Sequence, residues 1–187
     1  MKLIGTAILA IFTFFLFSCN NKDTVLMDSN EFFTIEIPKG MVEQNDMNVA
    51  ASLQYGYPED TTLAEGEKQP LEYLLVMLET KEEIANFGLD IEFDVENYAE
   101  VSLASLESSF ESFDIINKDV EVQKRDGLSY ILYDIEAHIQ HISIFYKLAI
   151  FEGDHAFYQV ITWCELPFKE KFNKEMDQII GSFKEKK

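Results

Sequence analysis

The stretch from Leu128 to Cys164 constrains the fold most. Three runs, Leu128–Ala137, Ile142–Phe151 and Ala156–Cys164, are joined only by His138-Ile-Gln-His141 and by a turn at Gly153-Asp154. Connections this short force neighbouring strands to pair antiparallel. The last run places Ala156, Tyr158 and Val160 on one side and Phe157, Ile161 and Trp163 on the other. Successive strand side chains point to opposite faces, so both faces of this sheet are apolar and each needs a cover.

The covers are legible as helical stripes. Asp94 suits an N-cap with Glu96 in the first turn, and Val95, Ala99, Leu103, Leu106, Phe110 and Phe113 recur at spacings of three and four. Pro167 suits the first turn of a closing helix whose stripe is Phe168, Phe172, Met176, Ile179, Ile180 and Phe183. Lys184, Lys186 and Lys187 are placed to meet the negative end of that helix. Lys81 to Phe87 reads as a short extra helical turn. The remaining strands are Phe33–Ile37, ended by Pro38-Lys39-Gly40, then Asn48–Tyr55, Tyr73–Leu78 and Val120–Lys124, the last entering a hairpin turn at Asp126-Gly127. Strands grouped apart from helices predict an α+β fold. The expected form is an antiparallel sheet of about six to seven strands flanked by two long helices, a helix–sheet–helix sandwich.

Three features resemble the PsbP-type fold, and in particular the DcrB-like bacterial lipoproteins. One is the strand ending in Ile37-Pro38-Lys39-Gly40, with Met41 where that family often has an aromatic residue. Another is the run of aromatic hairpins, and the third is the closing pattern Ile179, Ser182, Phe183, Lys184. The resemblance covers roughly residues 31–185, so residues 31–187 are taken as a single PsbP-like domain. It implies binding and assembly roles, as in an extrinsic photosystem II subunit, a nuclear Ran-binding protein and many bacterial lipoproteins. The matching positions are core and turn positions, so the resemblance carries over no functional residue.

The N-terminus supplies an address. Met1-Lys2 precedes an apolar run from Leu3 to Phe17, the layout of a secretory signal peptide. Leu16-Phe17-Ser18-Cys19 resembles a lipobox, with Phe17 bulkier than the usual small residue. That resemblance implies lipid attachment at Cys19, with cleavage before it. Residues 1–18 are then a lipoprotein signal peptide and residues 19–30 a lipidated tether, polar from Asn20 onward. The expected location is the cell envelope on a lipid anchor, with Asn20 leaning toward the outer membrane because it lacks the Asp often linked to inner-membrane retention.

The formal net charge is −19, and removal of Lys2 makes it one unit more negative. Such a surface repels phosphate backbones and anionic headgroups, which argues against nucleic acid and leaves tethering to the lipid. With Cys19 acylated, Cys164 has no disulfide partner and reads as a small buried hydrophobe.

The chain has no phosphate loop, no dinucleotide fingerprint, no nucleophile elbow and no zincin helix. His138 and His141, with Asp134 or Glu136, could approach a metal, but zinc wants three or four ligands, so these and His155 read as surface histidines. Glu59, Asp60, Glu65 and Glu67 lack the spacing of a calcium loop, and Glu79, Glu82 and Glu83 read as solvating groups. No metal, cofactor or catalytic residue is assigned. Tyr130, Tyr133, Phe145, Tyr146, Phe157, Tyr158 and Trp163 are expected to be core, with a minority lining an exposed patch or pocket. The expected function is a non-enzymatic binding or assembly module with an envelope protein partner. The alternatives are a carrier or sensor of a small apolar ligand held between sheet and helix, and a hydrolase with an unrecognised site.

Overall fold

A computed structural model describes residues 23–29, 31–64, 67–86, 93–117 and 120–187. The expected signal peptide, residues 1–18, and the expected lipid-attachment residue Cys19 lie outside the described residues. In chain order the elements are β1 (Thr24–Asp28), β2 (Phe33–Pro38), β3 (Val42–Glu43), β4 (Ala51–Gly56), β5 (Glu72–Thr80), α1 (Lys81–Asn86), α2 (Val95–Glu107), β6 (Ser112–Ile115), β7 (Gln123–Arg125), β8 (Leu128–Ile139), β9 (Ile142–Glu152), β10 (Ala156–Glu165), α3 (Lys169–Ser182) and β11 (Lys184–Glu185). The domain is α+β.

An eight-stranded antiparallel sheet runs β3-β4-β5-β10-β9-β8-β6, with β7 also on β8. A smaller sheet runs β1-β2-β11. The long central hairpins follow the expected pairing, with Tyr146 opposite Trp163 and Leu148 opposite Ile161. The turn before β8 is a two-residue type, with φ of 52° at Asp126 and 93° at Gly127, the left-handed pair whose twist matches its flanking strands.

Both faces of β10 are buried, each in its own cluster. Ala156, Tyr158 and Val160 pack with Phe33, Ile35, Ile37, Ile179 and Phe183 under the small sheet and α3. Phe157 and Ile161 pack with Val95, Tyr98 and Ala99 of α2. Beyond the first of these, Phe145, Cys164, Phe172 and Met176 close a third cluster beneath the start of α3.

Several expectations are corrected. Within the expected tether of residues 19–30, Thr24–Asp28 pairs with β2, from Thr24 opposite Pro38 to Asp28 opposite Thr34. The strand count rises because β3, β6 and β11 are too short to show a hydrophobic period. Two long flanking helices are not formed. α3 is the long helix, at 14 residues. The other stripe does not run helically to Phe113, since α2 stops at Glu107. There the Ser108 hydroxyl bonds the Ser105 carbonyl at 2.7 Å and offers the backbone a competing partner. Phe113 lies in β6 opposite Ala137. The cover on this face is therefore shared between α2, Ile84 of α1 and the loop residues Met47, Phe93 and Phe110.

The end of α3 also differs. Lys184 lies in β11 and Lys186 pairs with Asp28. Arg125, the chain's single arginine, donates to the Ile180 carbonyl at 2.8 Å while lying over the Tyr130 and Phe151 rings. A cation at this terminus meets the helix dipole and satisfies an orphan carbonyl together.

Glu185 fastens the C-terminal strand. Its carboxylate accepts the Asp154 N–H at 2.8 Å and the Tyr158 hydroxyl at 2.9 Å. Burial and then this hydrogen bond hold the Tyr158 phenol above its ordinary range. A Cβ on Gly153 would fall inside the Glu185 carboxylate. Gly153→Ala must therefore expel Glu185 from its partners and is expected to lower stability by about 1–3 kcal/mol in urea unfolding. A change below a few tenths would show that the tail is not fixed by this contact.

Candidate functional site

A cleft lies between α2 and the strands β5 and β10. The floor is Leu75, Met77 and Ile161, and one end is closed by Tyr146 and Trp163. The wall over it carries Ser102 and Ser105 of α2 and Ser109 of the turn that follows, where full closure on the sheet would ask for apolar residues. The volume is about 520 Å³, within the range of small-molecule sites.

The opposite end is polar. The Tyr98 hydroxyl donates to Glu79 Oε2 at 2.5 Å, and Gln159 Nε2 donates to that hydroxyl at 3.1 Å. The Tyr98 ring stacks on Phe157 at 4.5 Å. Burial and the Glu79 hydrogen bond raise the Tyr98 phenol. α2 is set in register by its N-terminus, where Asp94 accepts the Asn97 N–H at 2.8 Å and Glu152 accepts the Val95 N–H at 3.1 Å. Glu152 also pairs with Lys81, so one carboxylate ties α1 and α2 to β9. The Ser102 hydroxyl donates to the Tyr98 carbonyl at 2.8 Å and so serves the helix backbone.

A second depression of about 450 Å³ lies at the start of α3, lined by Tyr57, Pro58, Gln69, Lys171, Phe172 and Glu175. The Tyr57 hydroxyl donates to Glu175 at 2.6 Å, and the Glu175 and Glu72 side chains are both buried on this side of the sheet. Burial pushes the neighbouring Cys164 thiol up to about 12, and the charges of Glu72 and Glu165 add to the shift. Cys164 is the buried hydrophobe expected from its strand. At pH 8 its alkylation in a Cys19→Ala chain should run about a thousandfold slower in the folded than in the unfolded state. Comparable rates in both states would contradict the buried position.

The other residues singled out by sequence separate. His138 is exposed, with Nδ1 2.9 Å from Ser112 Oγ. Asp134 pairs with Lys147 and Glu136 with Lys169, so neither turns toward a shared site with His138 and His141. Among the described residues, no three His, Cys, Asp or Glu side chains are grouped to hold a metal. His155 is an exposed turn residue held through its N–H by Glu185. Asp60 accepts both the N–H and the hydroxyl of Thr62, which lower its carboxyl, and so closes a local turn. Thr80 and Glu83 form a reciprocal capping box at α1. Tyr133, Phe145, Tyr146, Phe157 and Tyr158 are buried, whereas Tyr130 and Trp163 are half-buried. Trp163 and Tyr146 are the members of this aromatic set that reach the cleft.

Ser102, Ser105 and Ser109, three and four apart, are the signal by which the cleft wall could have been found. The bond of Glu79 to Tyr98 spans 19 residues of sequence that no local pattern connects.

Comparison with known proteins identifies the fold as PsbP-like. LpqN of Mycobacterium tuberculosis, a protein involved in cell envelope biogenesis, matches with a TM-score of 0.59 at 9% identity, covering 88% of this chain and 91% of that one. Cyanobacterial PsbP (CyanoP) of Synechocystis sp. PCC 6803 matches at 0.56 and 9% identity, over 90% and 96%. The Ran-binding protein Mog1p of Saccharomyces cerevisiae matches at 0.53 and 12% identity, over 88% and 95%. No protein-family model matches the sequence, and no curated protein matches it. Among the described residues no helix is long and apolar enough to cross a membrane.

Proposed function

We propose that this chain is a non-enzymatic binding module of the cell envelope, tethered through a lipid on Cys19, with the cleft beside α2 as its binding site. The observation that carries the reading is that cleft. A floor of aliphatic side chains and Met77, closed at one end by Tyr146 and Trp163, lies open beneath a row of serines. Aromatic rings with one polar edge, and adaptable thioethers such as Met77, suit a surface that receives another molecule. The likeness in fold to LpqN and to Mog1p, proteins tied to the envelope and to partner binding, supports the same reading. Asn20, directly after the lipid-bearing cysteine, favours the outer membrane. The site also suits the second reading, a carrier of a small ligand, because it lies between sheet and helix.

A photoreactive side chain at Ser105 tests the proposal. Irradiation of intact membranes should give an adduct at Ser105 and none at Val101, which is 58% exposed and lies outside the cleft lining. A large adduct mass indicates a protein partner and a small one a carried ligand. No adduct, or equal yield at both positions, would remove the cleft from the account.

A further inference from the structure

The cleft is polarised along its length. Gln159 and Trp163 lie on one strand face four residues apart, a separation of about 13 Å. Around Gln159 stand the Glu79 carboxylate and the Tyr98 hydroxyl, the latter already committed as donor to Glu79. Around Trp163 stand the rings of Tyr146 and Tyr73, with centroids 6.0 and 5.3 Å from the indole. Between the two ends the floor is aliphatic and thioether.

A ligand that follows this gradient has an apolar or aryl body and a head that donates hydrogen bonds. Lys, Arg and His are absent from the lining, so an anionic head finds no countercharge there. The chain's net charge of −19 raises the cost of bringing an anion near. A carboxylate acceptor strengthens a hydrogen bond from a charged donor, so an ammonium head gains most. We infer that the cleft binds an amine-headed small molecule with an apolar body, its ammonium at Glu79 and its body against Trp163 and Tyr146. This rests on the cleft being the binding site and adds the chemistry of its occupant.

Trp163 is the chain's single tryptophan, so intrinsic fluorescence reports occupancy of the cleft. The full-length protein in mild detergent is titrated with 4-phenylbutylamine, 4-phenylbutanol and 4-phenylbutyrate, which share a body and differ in head. The amine should bind about tenfold more tightly than the butyrate, with the alcohol between them. Glu79→Gln, which keeps an acceptor for Tyr98, should abolish the amine's advantage over the alcohol. Ser105→Phe, filling the cleft from an exposed position, should weaken all three. Equal affinities that Ser105→Phe removes would overturn the amine-headed ligand and leave the cleft as a binding site. Affinities untouched by Ser105→Phe, or no fluorescence response to any probe, would overturn the inference, and the Ser105 crosslink then decides separately whether the cleft binds anything.

Discussion

Phe183→Ala is expected to lower the unfolding free energy by about 3–5 kcal/mol, the cost of emptying a large aromatic site in a packed core. Phe183 is 1% exposed and follows the last turn of α3. Its ring centroid lies 4.6 Å from that of Phe151, 5.1 Å from Tyr158 and 5.5 Å from Phe33. It therefore joins three elements, β9, β10 and β2, just before the chain enters β11. Collapse around the cavity is limited because Phe33 and Phe151 belong to paired strands on two different sheets. Phe183→Leu should recover much of the loss. Urea unfolding of the three proteins measures this, and a loss below 1 kcal/mol for the alanine variant would show that the two sheets do not meet through this ring.

Lys147→Ala should cost about 3 kcal/mol, the lower end for breaking a buried ion pair. The Lys147 side chain is 5% exposed and bridges Asp134 of β8 at 2.9 Å and Asp177 of α3 at 2.8 Å. Its removal leaves two carboxylates facing each other, although their partial exposure lets water relieve some of the repulsion. Burial pulls the ammonium down, but the hydrogen bonds and charges of Asp177 and Asp134 more than offset this, so its pKa is raised on folding. A group with a raised folded pKa stabilises fully below its unfolded value of 10.5 and loses that contribution as pH rises through the folded value. Tyr57, Tyr98 and Tyr158 are also raised, and Tyr146 is pushed up to about 12 by burial. Stability should therefore be steady up to about pH 9.5 and fall above it. Lys147→Met, which keeps most of the volume, should lose less at pH 7 and show a shallower alkaline decline. An identical decline in the variant would contradict the buried ammonium's share.

The parts of the fold visible in sequence were those with a long regular period. β8, β9 and β10 each show it over ten residues or more, and the turn chemistry at Asp126-Gly127 fixed a pairing that the structure repeats. What stayed hidden had no period to show. β11 is two residues long and is held by pairing with β2 at the other end of the chain. β1 was masked by the polar opening of the tether. The overextension of α2 arose because Phe110 and Phe113 continue its spacing while packing from a turn and a strand. Tertiary contact with Tyr146 supplies at Phe110 what the period alone could not distinguish from a helix.

The position of this boundary also sets how much of the site is legible in the sequence. A helix running through to Phe113, as the spacing predicts, gives no reason to expect an opening there. The observed stop at Glu107, with serines along its flank, leaves the cleft open beside Trp163. The core role of most aromatic residues was readable from alternation. The meeting of Glu79, Tyr98 and Gln159 required β5, α2 and β10 to be assembled first.

Intact mass of the membrane-extracted protein, beside a Cys19→Ala variant, tests the proposed envelope anchor directly. A lipid tether at Cys19 predicts a wild-type chain lacking residues 1–18 and carrying acyl groups, both changes being absent from the variant. A wild-type mass equal to that of the full unmodified chain would contradict the lipid tether and separate the binding cleft from the membrane location proposed for it.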